Sequence, residues 1–311
     1  MPDPGTPGPA PAPGPGCGWA IVGCGTVAQA VVAPALRTAT AAHAVTVWDR
    51  DPVAAAALQR DLPGASVAAD LAGCVGDPGV HAVYVATPAD AHRGPVEVAA
   101  AAKKAVLVES PLTVGVADAV AIAAACDGLV AGTAFADRWH PAHLALSEVI
   151  DSGDVGTVTA VRLLGGEVAH AVDLVGMLLG DDLVRLEARG RSGGRGGSVR
   201  ESVRLAGVTR RGVTVSIHGS PDASHAHLSR VEVHGTGGHL AAVDTLGGAA
   251  GGTLVLTRGE GLDEHLAFDE ELSPASAQLQ RFSLAAVGAS PWGYHLLRDV
   301  RLQRLLLEAL A

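Results

Sequence analysis

Apolar residues in the first 134 positions fall into short continuous runs bounded by turn residues: 19–23 (WAIVG), 45–49 (VTVWD), 82–87 (AVYVAT), 105–109 (AVLVE) and 129–133 (LVAGT). A run that is apolar at every position, not at every second one, predicts a strand buried on both faces. Between the runs lie Ala-rich stretches near 26–40, 52–61, 92–103 and 114–126, which predict helices. Strands alternating with helices through short links predict a parallel, doubly wound sheet.

The pattern changes after residue 135. A helix is predicted over 141–151, then strands at 157–164, 183–190, 201–208, 212–218, 229–235 and 238–244. Tight links such as Arg210-Arg211-Gly212 and Gly235-Thr236-Gly237-Gly238 join consecutive strands, which predicts a mainly antiparallel, open-faced sheet. A helix at 169–179 interrupts these strands and a last one, 293–310, follows them. The Gly- and Arg-rich stretch Gly190–Gly197 reads as a mobile surface loop. The expected fold class is α/β followed by α+β, with domains 18–134 and 135–311. Ahead of them, residues 1–17 carry seven prolines in the first fifteen positions, and they read as a disordered or polyproline-like tail.

Composition narrows the classes. With 311 residues and 48% hydrophobic content, the chain can bury large cores, and wholesale disorder is excluded. A net charge of −10 supplies no global basic field for nucleic acid or anionic membrane. No apolar stretch is long enough to span a membrane, and no basic start precedes an apolar segment as in a signal peptide. Cys17, Cys24, Cys74 and Cys126 form no CxxC pair, so reduced thiols and a cytoplasmic location are expected.

Gly23-Cys24-Gly25-Thr26-Val27-Ala28 is a G-x-G-x-x-A fingerprint that follows a predicted strand and opens a predicted helix. Gly23 permits the tight turn, Gly25 lets a pyrophosphate approach the backbone, and Ala28 allows close helix packing; Thr26 and Val27 would present backbone N–H groups to the phosphates. Asp49 stands 21 residues beyond Ala28, at the end of the second strand, where a ribose-binding acid is expected. Its carboxylate favours NAD over a 2′-phosphate, while Arg50 beside it could pair with that phosphate, so NADP stays open.

The chain resembles the Gfo/Idh/MocA family of oxidoreductases, the glucose-fructose oxidoreductase and inositol dehydrogenase type. Ala86-Thr87-Pro88 with His92 resembles the family segment near the nicotinamide-side ribose, and Glu109-Ser110-Pro111 resembles its Glu-Lys-Pro motif. Arg138-Trp139-His140-Pro141 resembles the start of the second domain, and His170-Ala171-Val172-Asp173 the His-x-x-Asp helix. The resemblance implies NAD or NADP as cofactor, a small-molecule substrate, and a homodimer or homotetramer formed through the second sheet.

Two departures stand out. The family's lysine is replaced by Ser110, and the acid expected four residues before the histidine is replaced by Gly166, with Glu167 next to it. Lys103 and Lys104 are the only lysines, and they precede the strand that Ser110 follows. On the resemblance, His170, Asp173, Ser110 and Arg138 are the catalytic candidates. Trp139, His140 and Glu167 are the substrate-side candidates, and Glu109 joins the cofactor side. A serine has no charge with which to acidify an alcohol, so reduction of a C=N, C=C or C=O bond is expected over sugar oxidation. A non-redox enzyme that retains NAD, or an inactive member acting as a sensor, remains an alternative. His225, His227, His234 and His239 lack a third ligand at suitable spacing, so no metal is expected. Arg298, Arg301 and Arg304 read as a solvated stripe on the last helix.

Overall fold

The structure is a computed structural model, and it describes residues 16–192, 202–220, 229–259 and 261–311. The expectations for the tail up to residue 15, for 193–197 of the Gly-Arg loop and for His225 and His227 lie outside these residues. Cys17, assigned to the tail, instead opens the first strand.

The first layer alternates strand and helix: β1 (Cys17–Val22), α1 (Ala33–Thr38), β2 (Ala42–Trp48), α2 (Pro52–Asp61), β3 (Ser66–Val67), α3 (Leu71–Gly76), β4 (Ala82–Val85), α4 (Arg93–Ala101), β5 (Ala105–Val108), α5 (Val116–Ala125) and β6 (Ala131–Thr133). The strands form one parallel sheet in the order β3-β2-β1-β4-β5-β6. Every residue of β1, β4 and β5 is buried, as their continuous apolar runs require. The order reverses beside β1, which opens a crevice at the carboxyl ends of β1 and β4. The helix expected over 26–40 divides into a wide π-type turn at Ala28–Val32 and α1. Pro34 sits in the first turn of α1 and has no N–H for the residue-30 carbonyl; the wider turn accommodates that loss.

The second layer contains α6 (Pro141–Ser152), β7 (Val158–Glu167), α7 (Val168–Leu179), β8 (Leu183–Ser192), β9 (Ser202–Thr209), β10 (Thr214–Ser220), β11 (Arg230–Gly235), β12 (Gly238–Val243), β13 (Thr253–Arg258) and β14 (Leu262–Leu266). Their eight-stranded sheet runs β14-β13-β12-β11-β7-β10-β9-β8. All pairings are antiparallel except β7 with β10. Val161 and Leu163 of β7, Val215 and Ile217 of β10, and Val231 and Val233 of β11 alternate inward, onto α7. Gly190 belongs to β8 and not to a loop.

Two helices close the chain, α8 (Pro274–Ala286) and α9 (Leu296–Leu310). Both return to the first layer. Phe282 and Leu279 of α8 pack with Trp19 and Tyr84, and Trp19 Nε1 donates to Ser283 Oγ at 2.9 Å. In α9, Leu296 and Val300 join the core beneath α5, whereas Leu302 and Leu306 join the core of the second sheet. One helix therefore seals both cores.

Candidate active site

The turn after β1 is built for close backbone approach. Gly23 has φ +93°, and a Cβ there would lie 2.6 Å from the backbone at Ala86 and Thr87. Only glycine fits both constraints. A Cβ at Gly25 would meet nothing within 4 Å, so its backbone faces open space. The cleft beside it is lined by Gly23, Gly25, Trp48, Asp49, Arg50, Ala86, Thr87 and Pro88. Asp49 is fixed before any ligand arrives: Cys24 N donates to Oδ2 at 2.7 Å and Asp51 N to Oδ1 at 2.8 Å. Thr87 Oγ1 is buried with no partner among the described residues, an orphan that a ligand hydroxyl would satisfy. The residues present thus fit a dinucleotide.

His92 does not line this cleft. It is 1% exposed, with Nδ1 2.9 Å from Leu112 O and Nε2 2.7 Å from Thr87 O. Its imidazole is a strut that fixes the loop carrying Thr87, which corrects the expectation of a cofactor contact.

Ser110 follows β5 at the sheet's carboxyl end, and its Oγ lies 2.7 Å from His170 Nε2. His170 rises from the first turn of α7 and reaches it across the two layers. Glu109 holds the serine in place. Its Oε1 accepts from Ser110 N at 2.9 Å, and its Oε2 accepts from the buried Tyr84 hydroxyl at 2.6 Å. On the opposite side of the ring, His170 Nδ1 stands 3.3 Å from Asp137 Oδ2. Phe135 meets the imidazole edge-on at 5.4 Å. Burial alone would lower the His170 pKa. The hydrogen-bonding and charge of Asp137, with the charges of Glu167 and Glu109 farther off, overcome burial and raise it to about 9. The imidazole is therefore a cation at neutral pH. Asp137 shifts the other way: burial opposes its ionisation, but His170, His143 and His140 together hold its carboxyl below the usual range. Glu167 takes the N-cap position of α7, three residues ahead of His170.

Four other expected site residues are placed elsewhere. Arg138 is 0% exposed, and its Nε and Nη2 donate to Asp173 Oδ2 and Oδ1, each at 2.6 Å. Nη2 also reaches Asp299 Oδ1 at 3.2 Å, and the guanidinium lies 3.9 Å from the Tyr294 ring centroid. Enclosed in this way, Arg138 cannot meet a substrate carboxylate. Asp173 spends its oxygens on Arg138 and Arg298 and does not orient His170. Asp299 Oδ2 accepts from Thr133 N at 3.0 Å, so the cluster ties α7, α9 and the end of β6. His140 is fully buried and caps α6, its Nδ1 accepting from Ala142 N at 3.1 Å. Burial is the first cause that pushes its pKa down, to about 4, followed by the charge of His143. Trp139 packs on Trp292 and Tyr294, with Arg281 over its ring at 5.0 Å. These are interior contacts; within the 3₁₀ turn at Ala136–Trp139 it is Asp137 that pairs with His170.

One further expectation changes. Arg298 is not solvated; it pairs with Asp173 and with Asp182 Oδ1 at 3.5 Å. Lys104 Nζ donates to Val80 O at 2.7 Å, at the amino end of the sheet and a strand's length from Ser110. His234 and His239 stack across β11 and β12 at 5.7 Å. The four cysteines are buried and free, and burial raises their thiol pKa values to about 11 or 12. Among the described residues, no helix is long and apolar enough to cross a membrane.

Comparison with known proteins agrees with this geometry. Residues 17–130 match the family model described as "Oxidoreductase family, NAD-binding Rossmann fold". The 1,5-anhydro-D-fructose reductase of Ensifer adhaerens is 29% identical over 303 residues, covering 89% of this chain and 88% of that one. An inositol 2-dehydrogenase of Saccharopolyspora erythraea is 29% identical over 256 residues, covering 73% and 74%. Among solved structures, the aldose-aldose oxidoreductase of Caulobacter crescentus superposes with a TM-score of 0.82 at 20% identity, over 95% of this chain and 96% of that one. A 3-ketoreductase of Actinomadura kijaniata in complex with NADP gives 0.76 at 21%, over 94% and 96%. Fingerprint, paired sheets and relatives agree: residues 17–130 match the NAD-binding Rossmann domain of the Gfo/Idh/MocA oxidoreductase family, and the chain as a whole is similar to reductases and dehydrogenases of that type.

Proposed function

We propose that the protein reduces a C=N, C=C or C=O bond of a small metabolite, with Ser110 and His170 delivering the proton. The observation that carries this reading is the 2.7 Å contact between Ser110 Oγ and His170 Nε2 at the carboxyl end of β5. When bound, a reduced nicotinamide supplies the hydride. Gly23, Gly25, Thr26 and Val27 would hold the pyrophosphate, Asp49 the ribose hydroxyls, and Thr87 and Pro88 the nicotinamide side.

The protein's own part is proton transfer. His170 is cationic at neutral pH, so it is poised to give a proton and not to take one. Its Nε2–H donates to Ser110 Oγ, and the serine O–H donates to the substrate atom that gains negative charge. As that proton leaves the serine, the imidazolium replaces it, and both groups end neutral. Alcohol oxidation would need the reverse, a neutral imidazole, which the carboxylates of Asp137, Glu167 and Glu109 oppose. The fixed carboxylate of Asp49 favours NAD, and Arg50 on the cleft wall leaves NADP admissible. The same reading places the protein in the cytoplasm, as a homodimer or homotetramer assembled through the eight-stranded sheet.

The test is a cofactor titration followed by absorbance at 340 nm with a panel of imines, enones, ketones and hydroxy acids. Loss of absorbance on adding an unsaturated substrate is the expected result. Cofactor binding with no turnover across the panel favours a non-redox or sensor role, and no binding at all ends the assignment.

A further inference from the structure

Ser110, His170 and Asp137 come from three separate elements: the end of β5, the first turn of α7 and the turn before α6. Their contacts run in series, 2.7 Å from Ser110 Oγ to His170 Nε2 and 3.3 Å from His170 Nδ1 to Asp137 Oδ2. We propose that Asp137 is the positioning residue of this site, holding Nδ1 of His170 and thereby fixing that Nε2 faces Ser110. With Asp137 against Nδ1, the neutral ring keeps its proton there, and Nε2 is left for exchange with the serine.

Three structural facts support the assignment. First, the backbone that carries Asp137 is held on both sides. Its neighbour Arg138 is clamped by Asp173 and Asp299, and its own carbonyl accepts from His143 Nδ1 at 2.8 Å. Secondly, the carboxylate is only 10% exposed, so its charge acts with little screening by water. Thirdly, Gly166 on the approach to α7 carries no acid of its own. Gly166 has φ +72°, and a Cβ there would sit 3.2 Å from Leu246 Cδ1. A side chain at that position would be strained by backbone and space together.

The charged and titratable groups around the ring are Asp137 on the turn, Glu109 after β5 and Glu167 at the start of α7. His143 and His140 of α6 face Asp137 from behind, and burial keeps both neutral at physiological pH. The hydrogen bond and charge of Asp137 rank ahead of the charges of Glu167 and Glu109 among the causes that raise the pKa of the ring. Removal of Asp137 should therefore outweigh that of either glutamate.

The experiment is a ¹⁵N-detected titration of the His170 imidazole in the whole protein, with the signal assigned by its loss in His170→Asn. Asp137→Asn should lower the His170 pKa by about 1–3 units, the range for losing an opposite charge at this distance. Glu167→Gln and Glu109→Gln should each lower it less, and Asp137→Glu should restore most of the shift. An unchanged pKa in Asp137→Asn, or a larger drop in Glu167→Gln, overturns the proposal. If Asp137→Asn fails to fold, the wild-type ring decides: a neutral form protonated at Nδ1 supports the proposal, and one protonated at Nε2 overturns it. The inference rests on His170 serving the proposed site. The titration reads the ring directly, so its outcome is separable from whether reduction is found.

Discussion

Ser110 Oγ and His170 Nε2 are 2.7 Å apart, although 60 residues and a change of sheet separate them in the chain. If this contact is the route of the proton, Ser110→Ala should slow turnover by about 10²–10⁴-fold, the usual worth of a positioned acid or base. Cofactor affinity should stay within about twofold, because the phosphate turn lies on a different strand. Steady-state kinetics beside a fluorescence titration of NADH would show both. Equal losses in turnover and cofactor binding would point to a collapsed site.

The His170–Asp137 pair also makes stability depend on pH. The His170 pKa is raised from 6.5 to about 9, so its contribution is complete below about 6.5 and is lost as pH rises through about 9. Asp137 is lowered from 3.8, so its contribution is present above that value and is lost as pH falls through the folded-state pKa. The pair should therefore stabilise the protein most between these limits, by about 3 kcal/mol at most from the histidine side. Melting curves of wild type and His170→Asn should converge above pH 9. Parallel curves across the whole range would show that the pair carries no linkage.

The enclosed arginine should dominate stability without touching chemistry. Arg138→Met leaves the buried Asp173 and Asp299 to share Arg298, whose Nη1 lies 3.8 Å from Asp299 Oδ1. Breaking a buried pair from one side costs about 3–5 kcal/mol. Urea unfolding should report a loss of that size. A loss under about 1 kcal/mol would mean that water or a neighbouring group compensates for the missing cation.

Cofactor choice should follow the two adjacent residues on the cleft wall. Asp49→Ala removes a charged acceptor and should weaken NADH by about 10–100-fold, from the 1.5–3 kcal/mol of a charge-assisted hydrogen bond. NADPH should lose less, since a repulsive charge goes with it. Arg50→Ala should weaken NADPH alone. Dissociation constants for the four protein–cofactor pairs, set against wild type, decide the matter, and equal effects on both cofactors would remove Asp49 from the ribose site.

Much of the first layer was legible because its strands are buried on both faces: WAIV, AVYV and AVLV have no polar interruption. β3 escaped notice because it has two residues, both exposed. α8 escaped although its start is marked, with Ser273 accepting from Ser276 N at 3.2 Å and Pro274 in the first turn. At the site, Ser110 and His170 were found by motif position, yet their contact was not, since no local pattern links two residues so far apart. Asp137 was missed for a related reason. It adjoins Arg138 in a four-residue 3₁₀ turn, where successive side chains point about 120° apart, so Arg138 enters the cluster with Asp173 and Asp299 while Asp137 meets His170.

The return of α8 and α9 bears on how the molecule comes apart. A first layer cut off near residue 134 would lose the lid that Leu279, Phe282 and Val300 place over its apolar faces, and the second sheet would lose Leu302 and Leu306 with the same helix. The two halves are thus laced by their last segment into one cooperative unit, and calorimetry should record a single endotherm, with the Ser110–His170 contact appearing only when that lacing is complete.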